Sequence, residues 1–161
     1  MDKNIRAQVF ETYNRYANAF NKADMETIND CIAYPLAYVG ADSVNMLDKF
    51  PIDPKELKEK IGWATSDAFE IDIVAVSAKK AHVAIRNVRR LRGDGSLIEE
   101  ATAFYAFKNT NNGWKIYALS DITFSVKSSH QRLSHARPTQ IRGQGIPCSG
   151  SLKQRNSSLT P

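Results

Sequence analysis

Near the start of the chain apolar side chains recur at spacings of three and four: Ile5, Val9, Tyr13, Tyr16 and Phe20, with Phe10 and Ala17 widening the stripe. That periodicity is one face of an amphipathic α-helix, and Asp2 is a candidate N-cap for it. Asn21-Lys22-Ala23 interrupts the pattern, and Asp24 is placed to cap a second helix carrying Met25, Ile28, Cys31 and Ile32. Pro35 cannot continue that helix, because it lacks the amide donor and biases Tyr34 towards extended geometry. Residues 36–39 then read as a short strand, Gly40-Ala41-Asp42-Ser43 as a turn and residues 44–47 as a second short strand. Asp53-Pro54-Lys55-Glu56 is a helix start: a capping side chain, proline at the first helical position and a glutamate three residues after the cap. Leu57 and Ile61 are expected to face the core, and Gly62 to end the helix.

Beyond residue 67 the character changes to β-branched and aromatic runs at 68–77, 81–91, 97–107 and 114–124. Lys79-Lys80, Gly93-Asp94-Gly95 and residues 109–113 separate them. Links this short suit hairpins, so the four runs predict an antiparallel meander. Such strands are long enough to curl around a helix, with bulges supplying the bend. The whole is an α+β domain: helices packed in the concave face of a strongly curved antiparallel sheet. One sheet face is then left over. Val74, Val76, Val88, Tyr105 and Tyr117 are candidates to cover it in a homodimer, since two-fold, self-complementary pairing is the usual solution.

Charge sharpens this division. Residues 1–124 hold 16 Lys/Arg against 17 Asp/Glu, whereas residues 125–161 hold six Lys/Arg, no acid and no Phe, Tyr or Trp. The domain is expected to occupy 1–124 and to be followed by a basic disordered tail over 125–161, which has too little apolar surface to offset ordering entropy. The net charge of +5 therefore belongs to the tail and does not make the domain a nucleic-acid binder. The tail's cations are dispersed without interleaved aromatics, so no specific nucleic-acid recognition is expected. No apolar run reaches the roughly 20 residues of a membrane span. No apolar signal region precedes the first helix, so a cytoplasmic location is expected. Cys31 and Cys148 lie far apart and form no disulfide framework; Cys31 is read as a small core residue. His82 is read as a surface residue, and His130 and His135 fall in the tail, so no metal or other cofactor is expected. Phosphate loops, dinucleotide fingerprints, nucleophile elbows and zinc motifs are all missing.

The stretch Arg15-Tyr16, Ala19-Phe20-Asn21 and Asp24, followed by Tyr34-Pro35 and four long strands, resembles the nuclear transport factor 2-like superfamily, which includes ketosteroid isomerase and the SnoaL-type polyketide cyclases. The resemblance covers about residues 3–124 and implies a cone-shaped α+β barrel with a pocket. It also implies a role for Tyr16: in the isomerase the matching tyrosine donates a hydrogen bond to the developing oxyanion, as a phenol can in a dry pocket. The isomerase's carboxylates do not follow. Its base would fall at Val39-Gly40, with Asp42 two residues later, and its protonated acid at Ala103-Phe104. Steroid isomerisation is therefore not expected.

Asp121 interrupts the apolar run Leu119-Ser120-Asp121-Ile122. Strand alternation leaves it either in the pocket or in solvent at the strand end. Arg86, Arg89 and Arg90 are expected to pair with Glu99 and Glu100 across the Gly93-Asp94-Gly95 hairpin. Two functional classes remain. The first is a binding domain for a small hydrophobic molecule, with acid–base lyase, isomerase or cyclase chemistry: Asp121 as base, Tyr16 as donor and Tyr13, Tyr38 and Tyr105 against the ligand. The second is a non-catalytic dimerisation or interaction module. Fold alone does not choose between them; an open cavity holding a carboxylate favours the first.

Overall fold

The structure, a computed structural model, describes residues 2–125. The basic tail expected over 125–161 lies outside the described residues apart from Ser125, as do His130, His135 and Cys148.

The three-and-four stripe forms helix α1 (Asp2–Asn21), with Val9, Tyr13, Tyr16 and Ala19 buried. Asp2 is itself helical and pairs with Arg6 at 3.6 Å instead of capping from outside. Phe10 lies off the stripe and is 47% exposed. Asp24 caps α2 (Met25–Asp30) as expected: its carboxylate accepts from the Thr27 amide at 3.1 Å and the Thr27 hydroxyl at 2.7 Å. That helix is shorter than its apolar pattern suggests. Cys31 closes it, buried as expected, and Ile32 belongs to strand β1 (Ile32–Val39), within which Pro35 follows a cis peptide bond. The reason lies far along the chain. The Cys31 carbonyl accepts the Ile116 amide, and Ile32 sits in register beside Ile116.

Strand β2 (Val44–Leu47) pairs antiparallel with β1. Helix α3 (Pro54–Ile61) begins where the capping pattern predicts, with Asp53 accepting from the Lys55 amide at 2.8 Å. Glu56 does not reach back to the cap; it pairs with Lys60 at 2.7 Å. Gly62 ends the helix with φ of 71°, a left-handed conformation that glycine adopts without the Cβ penalty. Leu57 and Ile61 are half-buried.

Strand β3 (Trp63–Asp67), unexpected from its mostly small and polar residues, is an edge strand on β5 (Lys80–Arg92). Beside it β4 (Glu70–Val76) occupies the other half of the same edge. The meander continues through β6 (Leu97–Thr110) and β7 (Gly113–Ser125). The strand order is β2-β1-β7-β6-β5-β3, with β4 also on β5; β1 runs parallel to β7, which makes the curved sheet mixed and not purely antiparallel. Bulges supply the bend. One of them shifts the β5–β6 register between Ile85 and Val88, with Asn87 at φ of 59°.

α1 lies in the concave face, where Val9, Tyr13 and Tyr16 meet Val83, Ile85, Tyr105, Phe107, Ile116 and Leu119. Cross-strand pairing also corrects the arginine assignments. Arg90 meets Glu99 at 2.6 Å as expected, but Arg89 pairs with Asp67 of β3 at 2.9 Å and Arg86 with Asp72 of β4 at 3.0 Å. The expected outer face is likewise redrawn. Val76 and Val88 pack against the core and Tyr105 is buried in it, so of the five only Val74, 55% exposed, and the half-buried Tyr117 between Lys80 and Lys108 stay outside. His82 is half-buried against the Phe104 ring. Large apolar residues exposed on the outer face include Phe104 and Ile122, and Val39, Val44 and Met46 on the β1–β2 hairpin.

Candidate functional site

Between α1 and the concave sheet face lies a partly open cavity of about 70 Å³. That is about half the ~150 Å³ of an apolar cavity that takes up benzene, so only a compact molecule fits without displacing side chains. α1 contributes Tyr13, Tyr16, Ala17, Phe20 and Asn21, one run of the helical stripe. β6 contributes Ala101, Ala103 and Tyr105, alternate residues of a strand with one face inward. The two alanines leave the space that the tyrosines frame. β5 and β7 complete the wall with Val88, Arg90, Leu119 and Asp121.

Tyr16 and Asp121 thus line the same cavity, as do Tyr13 and Tyr105. Tyr38 is not among the lining residues; its hydroxyl donates to Asp121 Oδ1 at 2.9 Å and so fixes the carboxylate from β1. Oδ2 accepts no hydrogen bond from the described residues and stands 3.8 Å from an Arg90 nitrogen, beyond hydrogen-bond range. Arg90 is held instead by Glu99. The aromatic rings pack edge to face: Tyr13 on Tyr105 at 5.5 Å and on Phe69 at 5.9 Å, Tyr16 on Tyr105 at 5.9 Å. Burial pushes the Tyr13 and Tyr16 hydroxyls well above the ordinary phenol range, and Tyr105 up to about 12. All three are neutral donors at neutral pH.

Opposite the arginine, Asn21 and Ser66 are locked reciprocally: the Asn21 amide donates to the Ser66 carbonyl at 3.0 Å and accepts the Ser66 amide at 2.9 Å. Trp63 Nε1 donates to the Ser66 hydroxyl at 3.0 Å. These bonds join the end of α1 to β3, a lining contribution that sequence reading misses along with β3 itself. Arg90, Phe20, Phe69, Ile52 and Val88 are among the other lining residues not foreseen. Among the described residues no group of three or more His, Cys, Asp or Glu gathers as a metal site, and no helix is long and apolar enough to cross a membrane.

The Arg90 side chain is 16% exposed between Glu99 and Asp121. Arg90→Ala leaves two part-buried carboxylates, Asp121 in the cavity wall and Glu99 behind it, without their cation. We expect a loss of about 2–3 kcal/mol in urea unfolding, below the full cost of an orphaned buried charge because both acids keep some solvent. Adding Glu99→Gln to that variant should recover part of the loss.

A helical pair laid in a curved sheet around an aromatic cavity defines the nuclear transport factor 2-like class. Residues 7–121 match the family described as NTF2-like protein (DUF6841), and the chain belongs to that family. No curated protein matches it. Among solved structures it is similar to a conserved protein from Planctomyces limnophilus, with a TM-score of 0.58 at 9% identity over 75% of this chain and 97% of that one. A domain with a cystatin-like fold from Nostoc punctiforme has a TM-score of 0.56 at 11% identity, over 78% of this chain and 81% of that one. A hexachlorocyclohexane dehydrochlorinase from Novosphingobium barchaimii has a TM-score of 0.54 at 15% identity, over 73% and 85%. At such identities the likeness is one of fold.

Proposed function

We propose that the domain binds a compact organic molecule in this cavity and acts on it by acid–base chemistry, as a lyase, isomerase or cyclase. The observation that carries the reading is the Asp121 carboxylate, oriented by Tyr38 through one oxygen and open at the other, on a wall shared with the Tyr16 hydroxyl. Asp121 Oδ2 takes a proton from the substrate, and Tyr16 donates a hydrogen bond to the oxygen on which charge develops. The structural similarity to a dehydrochlorinase is compatible with proton abstraction but adds no residue to the argument.

The test is a thermal-shift screen of small organic molecules on the full chain, followed by turnover assays of the hits. Asp121→Asn should lower turnover by about 10²–10⁴-fold and Tyr16→Phe by less, with both variants folded. Hits that stabilise wild type and an Ala103→Phe cavity-filling variant equally would refute the site.

A homodimer through the outer sheet face is part of this reading. Val39 pairs with Val44, Phe104 with Ser120 and Thr102 with Ile122, which sets exposed apolar side chains of four strands on one surface. Sedimentation at tens of micromolar, on the order of common working concentrations, should show a dimer burying about 1,200–2,000 Å². Phe104→Glu should return it to monomer; a wild-type monomer at that concentration would refute the pairing.

A further inference from the structure

Counting Glu99 behind the wall, the charge around the cavity is unbalanced. Of the lining residues only Arg90 and Asp121 carry charge. The Arg90 guanidinium is already taken by Glu99 at 2.6 Å, outside the lining, and faces Asp121 at 3.8 Å. One cation thus sits between two carboxylates, and the three side chains are 16–22% exposed. Tyr13, Tyr16 and Tyr105 add no charge, since burial keeps their hydroxyls protonated. An anionic ligand would have to displace Glu99 or Asp121 to reach the guanidinium. A cation meets the opposite situation: an excess carboxylate and a surround of aromatic rings, whose faces carry negative potential.

Resting on the reading of this cavity as a ligand site, we propose that its substrate is a compact organic ammonium, chosen over neutral and anionic molecules of the same shape. The cation lies among the Tyr13, Tyr16, Phe69 and Tyr105 rings, within the field of Asp121. Asp121 Oδ2 remains the proton acceptor.

The experiment titrates isobutylamine, isobutanol and isobutyrate, nearly equal in size, into the full chain at neutral pH while following the ring signals of the cavity tyrosines by NMR. The amine should bind about tenfold more tightly than the alcohol, within the roughly 2- to 30-fold that cation–π attraction supplies, and the acid most weakly. In Asp121→Asn that preference should collapse to about twofold or less, the lower end of the cation–π range. Glu99→Gln removes the excess charge without touching Asp121 and should weaken the preference as well, which decides the matter even where Asp121→Asn does not fold. Equal binding of amine and alcohol, tightest binding of isobutyrate, or a preference unchanged in Glu99→Gln would each overturn the charge selection while leaving the cavity a ligand site. No response of the cavity rings to any of the ligands would bring down the site and the selection together.

Discussion

Above pH about 10, the ordinary phenol range, the domain should lose stability steeply. Tyr13, Tyr16 and Tyr105 hold their protons in the folded state because burial penalises the phenolate, most strongly at Tyr13 and Tyr16 and up to about 12 at Tyr105. In the unfolded chain they titrate normally. Their folded values are raised, so their contribution is complete below the unfolded value and is lost as pH climbs past it. Each costs about 1.4 kcal/mol per pH unit in that window, about 4 kcal/mol per unit for the three together. Beyond about 12 Tyr105 begins to ionise in place and the slope eases. Urea unfolding at stepped alkaline pH measures the slope, and Tyr13→Phe should lower it by about one third. A flat profile would mean that the cavity tyrosines are solvated. The acid side has the opposite sign. Asp30 is held below the usual carboxylate range by its hydrogen bond to Lys115 and then by Arg15, so its contribution is present above that range and fades as pH falls below it.

What the sequence discloses about this fold follows the range of the forces involved. α1 is readable because burial of one helical side repeats every three to four residues, and α3 because Asp53, Pro54 and Gly62 write its ends locally. Ile32 is not readable. An isoleucine after Cys31 fits a helix as well as a strand, and what settles it is pairing with Ile116, 84 positions along. β3 is hidden for a similar reason: small polar residues make an acceptable edge only once β5 offers Arg89 to Arg92 as partners. The convergence of Tyr16 and Asp121 is legible once a helix is laid in a curved sheet. Arg90 is not, because Ala81, Val83 and Ile85 point inward and unbroken alternation would bring in Arg89. The bulge at Asn87 shifts the phase by one residue, so that Val88 and Arg90 enter the cavity wall and Arg89 turns to Asp67. The same phase error explains the misplacement of Val88 on the outer face.

Phe107→Ala should destabilise the domain by about 3–5 kcal/mol, whereas Phe104→Ala on the same strand should cost less than about 1 kcal/mol. The two rings differ only in the face they occupy. Phe107 is fully buried beneath α1, its ring 6.5 Å from that of Tyr105, and Phe104 is 44% exposed on the outer face. Truncating the first removes a large apolar side chain and leaves a void that its fixed neighbours Val83, Ile116 and Val9 can only partly fill. Truncating the second exposes strand backbone already near solvent. Because side chains alternate along a strand, a slip of one residue in the β6 register would exchange the two outcomes. The pair of variants therefore tests which face of β6 carries Ala101, Ala103 and Tyr105 into the cavity, and with it the placement of the candidate site. Urea midpoints at unchanged slope, measured at concentrations low enough to exclude dimer, give the comparison. Equal losses at the two positions would mean that the outer face is buried as deeply as the inner one, and that the site has been placed on the wrong side of the sheet.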